Sequence, residues 1–386
     1  MSFSADDHRY MARALQLAAS GLYTTEPNPR VGCVLVKDGV IVGEGFHLRA
    51  GEGHAEVNAL AMAGDKAQGA TAYVTLEPCS HQGKTPPCCD ALMKAGVNAV
   101  ISALQDPNPL VSGRGHNRLQ QAGIKVRWGL MQHQAEALNP GFIQRMTDNR
   151  PYVRIKQAIS LDGRTAMASG ESKWITGSQA RSDVQRLRAR SSAILTGIGT
   201  VLHDDPSMAL RAEQLGLSQE QANEALKRQP LRVILDRKLR TPPSAAIINQ
   251  PGETVIFYTD ADDACIAALN AKATLIAMND IEPLAVLQWL ARERECNELL
   301  IEAGAQVGGS FIAAGLVDEL VIYQAPTLLG SAARPAFALP LEQMAQQQRL
   351  QRIGSRQLGD DMRFNYSFVK SSGATSAGDN SAAEAG

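Results

Sequence analysis

Between His54 and Cys89 the chain reads HAEVNAL and, further on, TLEPCSHQGKTPPCC. One imidazole (His54), one carboxylate (Glu56) and two well-spaced thiols (Cys79 and Cys88) fall in this stretch. His-x-Glu, then Pro-Cys, then a further Cys is the ligand order of a zinc deaminase centre. Such a centre has three protein ligands, one coordinated water and a Glu that is not a ligand. Neutral imidazole and two thiolates leave a zinc(II) site near zero charge. The metal then stays acidic enough to bring water to a pKa of about 7. Glu56 can take the water proton and hand it to a leaving amine. Attack on a ring carbon bearing an exocyclic amine gives a carbonyl and ammonia.

The gap between the thiols is longer than Pro-Cys-x-x-Cys, because residues 80–87 intervene. Cys89 is an adjacent alternative that would point about 100° away on a helix. Cys88 is preferred as the ligand because it directly follows Pro86-Pro87 at a predicted helix start, where the positive helix end favours a thiolate. A lone Cys is usually an ordinary buried residue. His-x-Glu together with Pro-Cys makes metal binding the stronger reading.

The elements around these residues alternate. Asp6 or Asp7 is expected to cap a helix running to about Ser20, with Tyr10, Ala14, Leu17 and Ala18 on one face. Residues 31–36 read as a strand turned back by Lys37-Asp38-Gly39 onto residues 40–42. His54 and Glu56 sit two apart at a predicted helix start and can face one cavity. Pro78 stops a strand at residues 71–76, and further strands are expected at 99–103 and 124–128. The pattern predicts a three-layer α/β/α domain. Asn28, Arg30 and His47 are polar candidates for holding a substrate, and Lys84 and Thr85 could meet a phosphate.

After Asn149-Arg150-Pro151 the chain restarts. Strands are expected at 152–158, 193–197, 231–236, 254–258, 274–277 and 299–302, with helices at 178–189 and 283–294. Residues 160–176 form a polar, Gly-punctuated stretch suited to a lid or binding loop. Residues 213–229 read as a polar helical insertion. The run Gly304, Ala305, Gln306, Val307, Gly308, Gly309 and Ser310 follows a strand at once. Such a junction lets backbone cradle phosphates, although the pattern is weak by itself.

With 386 residues, two domains are expected. A net charge of −1 offers no broad basic surface for nucleic acid. Six unevenly placed cysteines do not form a disulfide framework, so a reducing compartment is expected. The N-terminus begins acidic and lacks a long apolar run, which argues against a signal peptide or a membrane span and for the cytoplasm. Residues 371–386 are rich in Ser, Ala and Gly and are expected to be disordered.

Six motifs recur in one order: TEPNPRVGCVLV, GEGHAEVNAL, TLEPCSHQGKTPPCC, ISLDGRTAMASGESKWIT, ILTGIGTVLHDDP and IEAGAQVGGSF. Together they resemble the bifunctional riboflavin-biosynthesis deaminase–reductase family, over nearly the whole chain except the tail. The resemblance implies a cytidine-deaminase-like zinc domain at residues 1–148 and a dihydrofolate-reductase-like α/β domain at 149–370. It implies one zinc per chain on His54, Cys79 and Cys88, with Glu56 as the proton-shuttling acid. The implied substrate is 2,5-diamino-6-ribosylamino-4-pyrimidinone 5′-phosphate. NADPH would then reduce the ribose of the deaminated product to a ribityl chain.

NADP contacts carry over to Ala158, Trp174, Thr200, Asp204 and the run from Gly304 to Ser310. Substrate contacts carry over to Ser172, Arg188, Met208, Arg211 and Glu302. One family cofactor contact, a Ser after the strand at 231–236, falls on Arg237 here. Arg188 and Arg211 suit bidentate phosphate binding, and Asp162 and Glu302 are candidates for proton delivery. The family suggests a homodimer or tetramer. Two other readings compete: another zinc nucleoside or tRNA deaminase with a fused accessory domain, and a zinc-stabilised binding protein without turnover. Near-neutral charge and the long Cys–Cys gap oppose the first. A structural zinc would more usually be closed by a fourth protein ligand, which opposes the second.

Overall fold

The computed structural model describes residues 2–81, 86–109 and 111–369. Its first helix, α1 (Ala5–Ala19), starts two or three residues earlier than expected. Ser4 is the cap: its hydroxyl accepts from the Asp7 N–H at 3.0 Å, and the Asp7 carboxylate accepts from the Ser4 N–H at 2.8 Å. Asp7 thus answers the cap from the third helical position, a reciprocal box that leaves two orphan donors satisfied. Tyr10, Met11, Ala14, Leu15 and Ala18 form its buried face, and Leu17 is only partly covered.

Next come β1 (Gly32–Lys37), β2 (Val40–Phe46), α2 (Ala55–Ala63), β3 (Thr71–Val74), α3 (Cys88–Lys94), β4 (Ala99–Ser102), α4 (Arg114–Gln121) and β5 (Lys125–Trp128). The strands lie in the order β2-β1-β3-β4-β5, with β1 antiparallel to both neighbours and β3, β4 and β5 parallel. Alternation along β1 shows both layers. Cys33 and Leu35 pack towards α2 and α3, while Val34 and Val36 pack towards α1. Helix α4 begins at Arg114, and Gly113 precedes it at φ 77°.

Helices α5 (Gln132–Leu138) and α6 (Pro140–Asp148) lead to β6 (Tyr152–Ile159). Beyond it lie β7 (Arg164–Ala166), α7 (Ser178–Arg190), β8 (Ala193–Gly197), α8 (Ile198–Asp204), α9 (Ala212–Leu215), α10 (Gln219–Leu226), β9 (Leu231–Leu235), β10 (Thr254–Tyr258), α11 (Asp263–Asn270), β11 (Thr274–Ala277), α12 (Pro283–Glu293), β12 (Glu298–Ile301), α13 (Ala305–Ala313), β13 (Glu319–Gln324), β14 (Arg334–Pro335), β15 (Leu350–Leu358) and β16 (Asp361–Phe368). Nine of these strands form one sheet in the order β11-β10-β9-β8-β12-β6-β13-β16-β15. It is parallel from β11 to β13, and the β15–β16 hairpin adds an antiparallel edge. Cores lie on both faces: Val153, Leu195 and Leu299 on one, Ile194, Ile234 and Leu300 on the other.

The two sheets meet through buried charge. Arg30, just before β1, donates to Glu298 at the start of β12 at 2.6 Å. Arg190 donates to the same carboxylate at 3.1 Å, and Arg154 is paired with it too. Burial opposes ionisation of Glu298, but Arg154, Arg190 and Arg30 hold it well below the ordinary carboxylate range. Glu26 reaches across to Ser192 at 2.8 Å and Asn297 at 3.0 Å. Arg30 is therefore a strut between the halves and not a substrate group, contrary to the expectation from its loop position.

Candidate functional site

His54 is the N-cap of α2, yet its ring makes no capping hydrogen bond. It faces two sulfurs instead: Nδ1 is 3.2 Å from Cys88 Sγ and 3.6 Å from Cys79 Sγ. All three donor atoms lie within 4.8 Å of one another. Tetrahedral zinc with ordinary Zn–S and Zn–N bonds would set such ligand pairs about 3.6 Å apart, so this donor set fits the ion. Glu56, in the first turn of the same helix, is 3 % exposed. Burial, then the nearby Cys79, pushes its carboxyl up to about 7. That is where a group that both takes and gives a proton works best. Helix and strand are held close by glycine. A Cβ on Gly45 of β2 would lie 2.4 Å from the Ala55 carbonyl oxygen.

The helix start acts on the other thiol from the one expected. The backbone N–H of Cys88 donates to Cys79 Sγ at 3.2 Å. Hydrogen bonding from Cys88, opposed by burial and aided by His54, lowers Cys79 to about 4, while Cys88 is pushed up by Cys79 and by burial. One thiolate is stabilised here and the second is opposed, a conflict that a bound cation relieves. Cys89 turns away. Its thiol donates to the Pro78 carbonyl at 3.3 Å, and burial raises it to about 12.

Asn28 and His47 stand beside this pocket. Asn28 Nδ2 is 3.0 Å from His47 Nε2, and the His47 ring meets that of His54 edge-on at 5.2 Å. Lys84 and Thr85 lie outside the described residues. Sequence reasoning passed over Glu77. Its carboxylate accepts the backbone N–H groups of Asp106, Gly113, Gly115 and His116 at 2.8–3.2 Å. These bonds clamp the loop before α4 beneath the strand end that carries Cys79. An acid directly before Pro-Cys was the available signal.

A second site is a cleft of about 1780 Å³ along the C-terminal ends of β6, β8, β9 and β12. Ala158, Ser172, Trp174, Arg188, Thr200, Asp204, Met208, Arg211, Glu302, Gly304, Ala305, Gln306, Val307 and Ser310 all line it. Gly304 is a helix cap and α13 begins at Ala305, so the glycine run is a helix start and not a free loop. Gly308 and Gly309 face away from the cleft. A Cβ on Gly309 would lie 2.2 Å from the Ala338 carbonyl oxygen, and one on Gly308 3.3 Å from Phe337. Their small size lets the 337–338 segment press against the helix that offers its N-terminus to the cleft.

Arg188 grips Glu302 with two hydrogen bonds, at 2.6 and 3.0 Å, and Lys156 Nζ is 3.2 Å from the same carboxylate. Burial would raise Glu302, but Arg188 and Lys156 outweigh it and hold the group at about 2. Lys156 was missed because a lysine in an apolar strand carries no pattern of its own. Asp162 lies elsewhere. It accepts from Ser160 at 2.5 Å and from the N–H groups of Leu329 and Gly330 at 3.1 and 2.8 Å, tying two loops together. It is not among the residues that line the cleft.

Residues 4–104 match the family model described as the cytidine and deoxycytidylate deaminase zinc-binding region, and residues 151–364 match the RibD C-terminal domain. The riboflavin biosynthesis protein RibD of Escherichia coli (strain K12) is 53% identical over 362 residues, covering 92% of this chain and 98% of that protein. The chain belongs to the RibD family. It is a riboflavin-biosynthesis enzyme that joins a zinc-binding deaminase domain to a reductase domain. RibD of Haemophilus influenzae is 49% identical over 382 residues, 95% of this chain and 98% of that protein. Among solved structures, Acinetobacter baumannii RibD, form 1, shares 46% identity at a TM-score of 0.87, covering 95% of this chain and 99% of that one. A Thermotoga maritima structure, described as a diaminohydroxyphosphoribosylaminopyrimidine deaminase/5-amino-6-(5-phosphoribosylamino)uracil reductase, shares 32% identity at a TM-score of 0.82, covering 94% and 99%. RibD relatives thus span both halves, and no described helix is long and apolar enough to cross a membrane.

Proposed function

We propose that residues 1–148 deaminate 2,5-diamino-6-ribosylamino-4-pyrimidinone 5′-phosphate. Residues 149–370 then reduce the ribose of the product to a ribityl chain with NADPH. The chemistry named for the Thermotoga maritima relative supports this reading. The observation that carries it is local: His54, Cys79 and Cys88 present three ligand atoms within 4.8 Å beside the buried acid Glu56. One zinc ion per chain fits these donors, and when bound it supplies Lewis acidity at its open position. Glu56 accepts a proton from the attacking water as the new C–O bond forms at the pyrimidine C2. It returns that proton to the departing nitrogen as the C–N bond breaks, so water enters and ammonia leaves. The Asn28–His47 pair forms one wall of the pocket and supports orientation of the pyrimidine.

In the second site the nicotinamide of NADPH supplies two electrons when bound. The start of α13 at Gly304 offers N–H groups to phosphates. Lys156, Arg188 and Glu302 form a fixed charged cluster against which the sugar phosphate is positioned. Glu302 is held ionised, so it accepts hydrogen bonds from a sugar hydroxyl and donates no proton. We further propose a cytoplasmic homodimer or tetramer that acts on this small molecule and not on nucleic acid.

The test is a paired assay on one zinc-loaded preparation. The diaminopyrimidine ribosyl phosphate is supplied with NADPH while ammonia release and NADPH absorbance are followed. Both signals are expected. Cys79→Ala should lose ammonia release yet still oxidise NADPH with pre-deaminated substrate. Ammonia release without NADPH oxidation would overturn the second half of the reading. Neither signal from zinc-loaded protein would overturn the substrate assignment.

A further inference from the structure

One wall of the deaminase pocket is held from the reductase half. Asn28 stands 3.0 Å from His47 in that wall. The peptide unit joining Pro27 to Asn28 is pinned on both sides. The Asn28 N–H donates to the Thr25 carbonyl at 2.9 Å. The Pro27 carbonyl accepts from Asn297 Nδ2 at 2.8 Å and from Arg145 at 3.4 Å. A peptide unit is planar, so fixing its carbonyl and its N–H fixes the direction in which Asn28 leaves it. Two residues further on, the Arg30 N–H donates to Asn139 at 2.8 Å, and Asn139 donates to the Arg30 carbonyl at 2.9 Å.

Asn297 immediately precedes β12 and is buried. Its backbone serves its own sheet: the carbonyl accepts from the Tyr152 N–H at 2.8 Å, and the N–H donates to the Ser192 hydroxyl at 2.9 Å. Its side chain serves the deaminase half. Oδ1 accepts from Arg145 at 2.7 Å, while Nδ2 donates to Glu26 at 3.0 Å and to Pro27. Arg145 can only donate and the Pro27 carbonyl can only accept, so the amide has one orientation. The strand needs only the backbone of Asn297, and the amide is spent wholly on holding the segment that carries Asn28. The other end of the same short strand leads to Glu302 in the reductase cleft.

We propose that Asn297 is a positioning residue of the deaminase reaction, supplied by the reductase half: through the Pro27 carbonyl it sets Asn28, and with it the pair that faces the pyrimidine. This rests on the reading of Asn28 and His47 as the wall that orients the substrate. Without the amide, the Pro27 carbonyl loses its short hydrogen bond and the Pro27–Asn28 peptide unit is free to rotate. Asn28 must then be ordered when substrate binds. That cost is the same in the substrate complex and in the transition state, so it raises KM and leaves kcat alone. His54 and Glu56 belong to the start of α2 and keep their places.

The experiment follows steady-state ammonia release from the diaminopyrimidine ribosyl phosphate by the full zinc-loaded chain. Wild type is compared with Asn28→Ala, Asn297→Ala and the double variant. Asn297→Ala should raise KM by about two- to tenfold, the worth of one hydrogen bond, with kcat and bound zinc unchanged. Asn297→Ser, too short to reach Pro27 but still polar at the strand start, should show the same rise. The double variant should match Asn28→Ala, because Asn297 then has nothing left to position. Reductase turnover of pre-deaminated substrate should stay at the wild-type level in both Asn297 variants. An unchanged KM in these variants, or losses that simply add in the double variant, would overturn the inference and leave the wall reading standing. So would a joint fall of kcat, bound zinc and reductase turnover, which would mark Asn297 as a residue of the fold alone. If Asn28→Ala itself leaves KM unchanged, the wall reading is wrong and the inference falls with it.

Discussion

The deaminase pocket draws His54, Glu56, Cys79 and Cys88 from a single stretch, whereas the reductase cleft collects its lining from Lys156 to Ala338. The first depends on donor atoms that few residue types supply. The second depends mainly on strand ends, a helix start and the placement of a few charges. A metal fixes ligand identity and spacing, and a dinucleotide tolerates many side chains wherever backbone N–H groups are free to meet phosphate. The two sites therefore fail in different ways, and the junction around Glu298 is where they share a fate.

The largest separation should come from Glu56→Gln. Ammonia release is expected to fall about 10²–10⁴-fold, since the shuttle group is lost. Bound zinc and NADPH oxidation with pre-deaminated substrate should stay at wild-type levels, checked by metal analysis and absorbance. Equal loss in both assays would show that the sites are not independent. Glu298→Ala should strike both halves. It leaves Arg30, Arg154 and Arg190 buried without their shared carboxylate. Urea denaturation should show a loss of about 3–5 kcal/mol, typical for a broken buried pair. A change confined to the reductase transition would contradict the shared junction.

This contrast also explains what could be read without coordinates. The cluster of His54, Cys79 and Cys88, the hairpin at Lys37-Asp38-Gly39 and most parallel strands were legible because each carries local chemistry or a local period. Asp38 and Gly39 do take the positive φ values, 51° and 76°, that such a turn needs. The β15–β16 hairpin was passed over, although Gly359-Asp360 between alternating strands is a turn signal of the same kind. Arg30 was misassigned because a polar loop residue looks alike whether it meets a ligand or another domain. Its partner Glu298 lies far away in the chain, and only packing brings the two together. Ser4 was overlooked as a cap because two acids follow it and are themselves good caps. Glu77 and Lys156 escaped for a common reason. Each acts through backbone groups or charges that folding supplies from elsewhere.

Gly309→Ala sharpens the comparison on the cleft side. Its new methyl would collide with the Ala338 carbonyl at 2.2 Å, so α13 or the 337–338 segment must shift. A cost of about 1–3 kcal/mol is expected for such overpacking. Dinucleotide affinity should drop while ammonia release is spared. Unchanged affinity would show that the position of α13 does not govern the cleft.

The smallest effect, of order 1 kcal/mol after solvent screening, concerns pH and should have opposite signs in the two halves. Burial raises Asp106, beside the zinc pocket, to about 6, with the Asn108 N–H opposing the shift. An acid whose folded pKa lies above its unfolded value of about 3.9 binds its proton more tightly in the fold. It therefore costs stability as pH rises from about 4 to 6. Glu302 is held at about 2, because Arg188 and Lys156 overcome the effect of burial. Its contribution is fully present above its unfolded pKa of about 4.3 and fades as pH falls towards 2. Relative to wild type, Asp106→Asn should therefore gain stability as pH is raised from 4 to 6.5. Glu302→Gln should look progressively less harmful as pH is lowered from 5 to 3. Urea midpoints across that range measure both trends. Parallel slopes for the two variants would mean that the carboxylates share one kind of environment, and the contrast between a pocket that disfavours negative charge and a cleft that holds it in place would be lost.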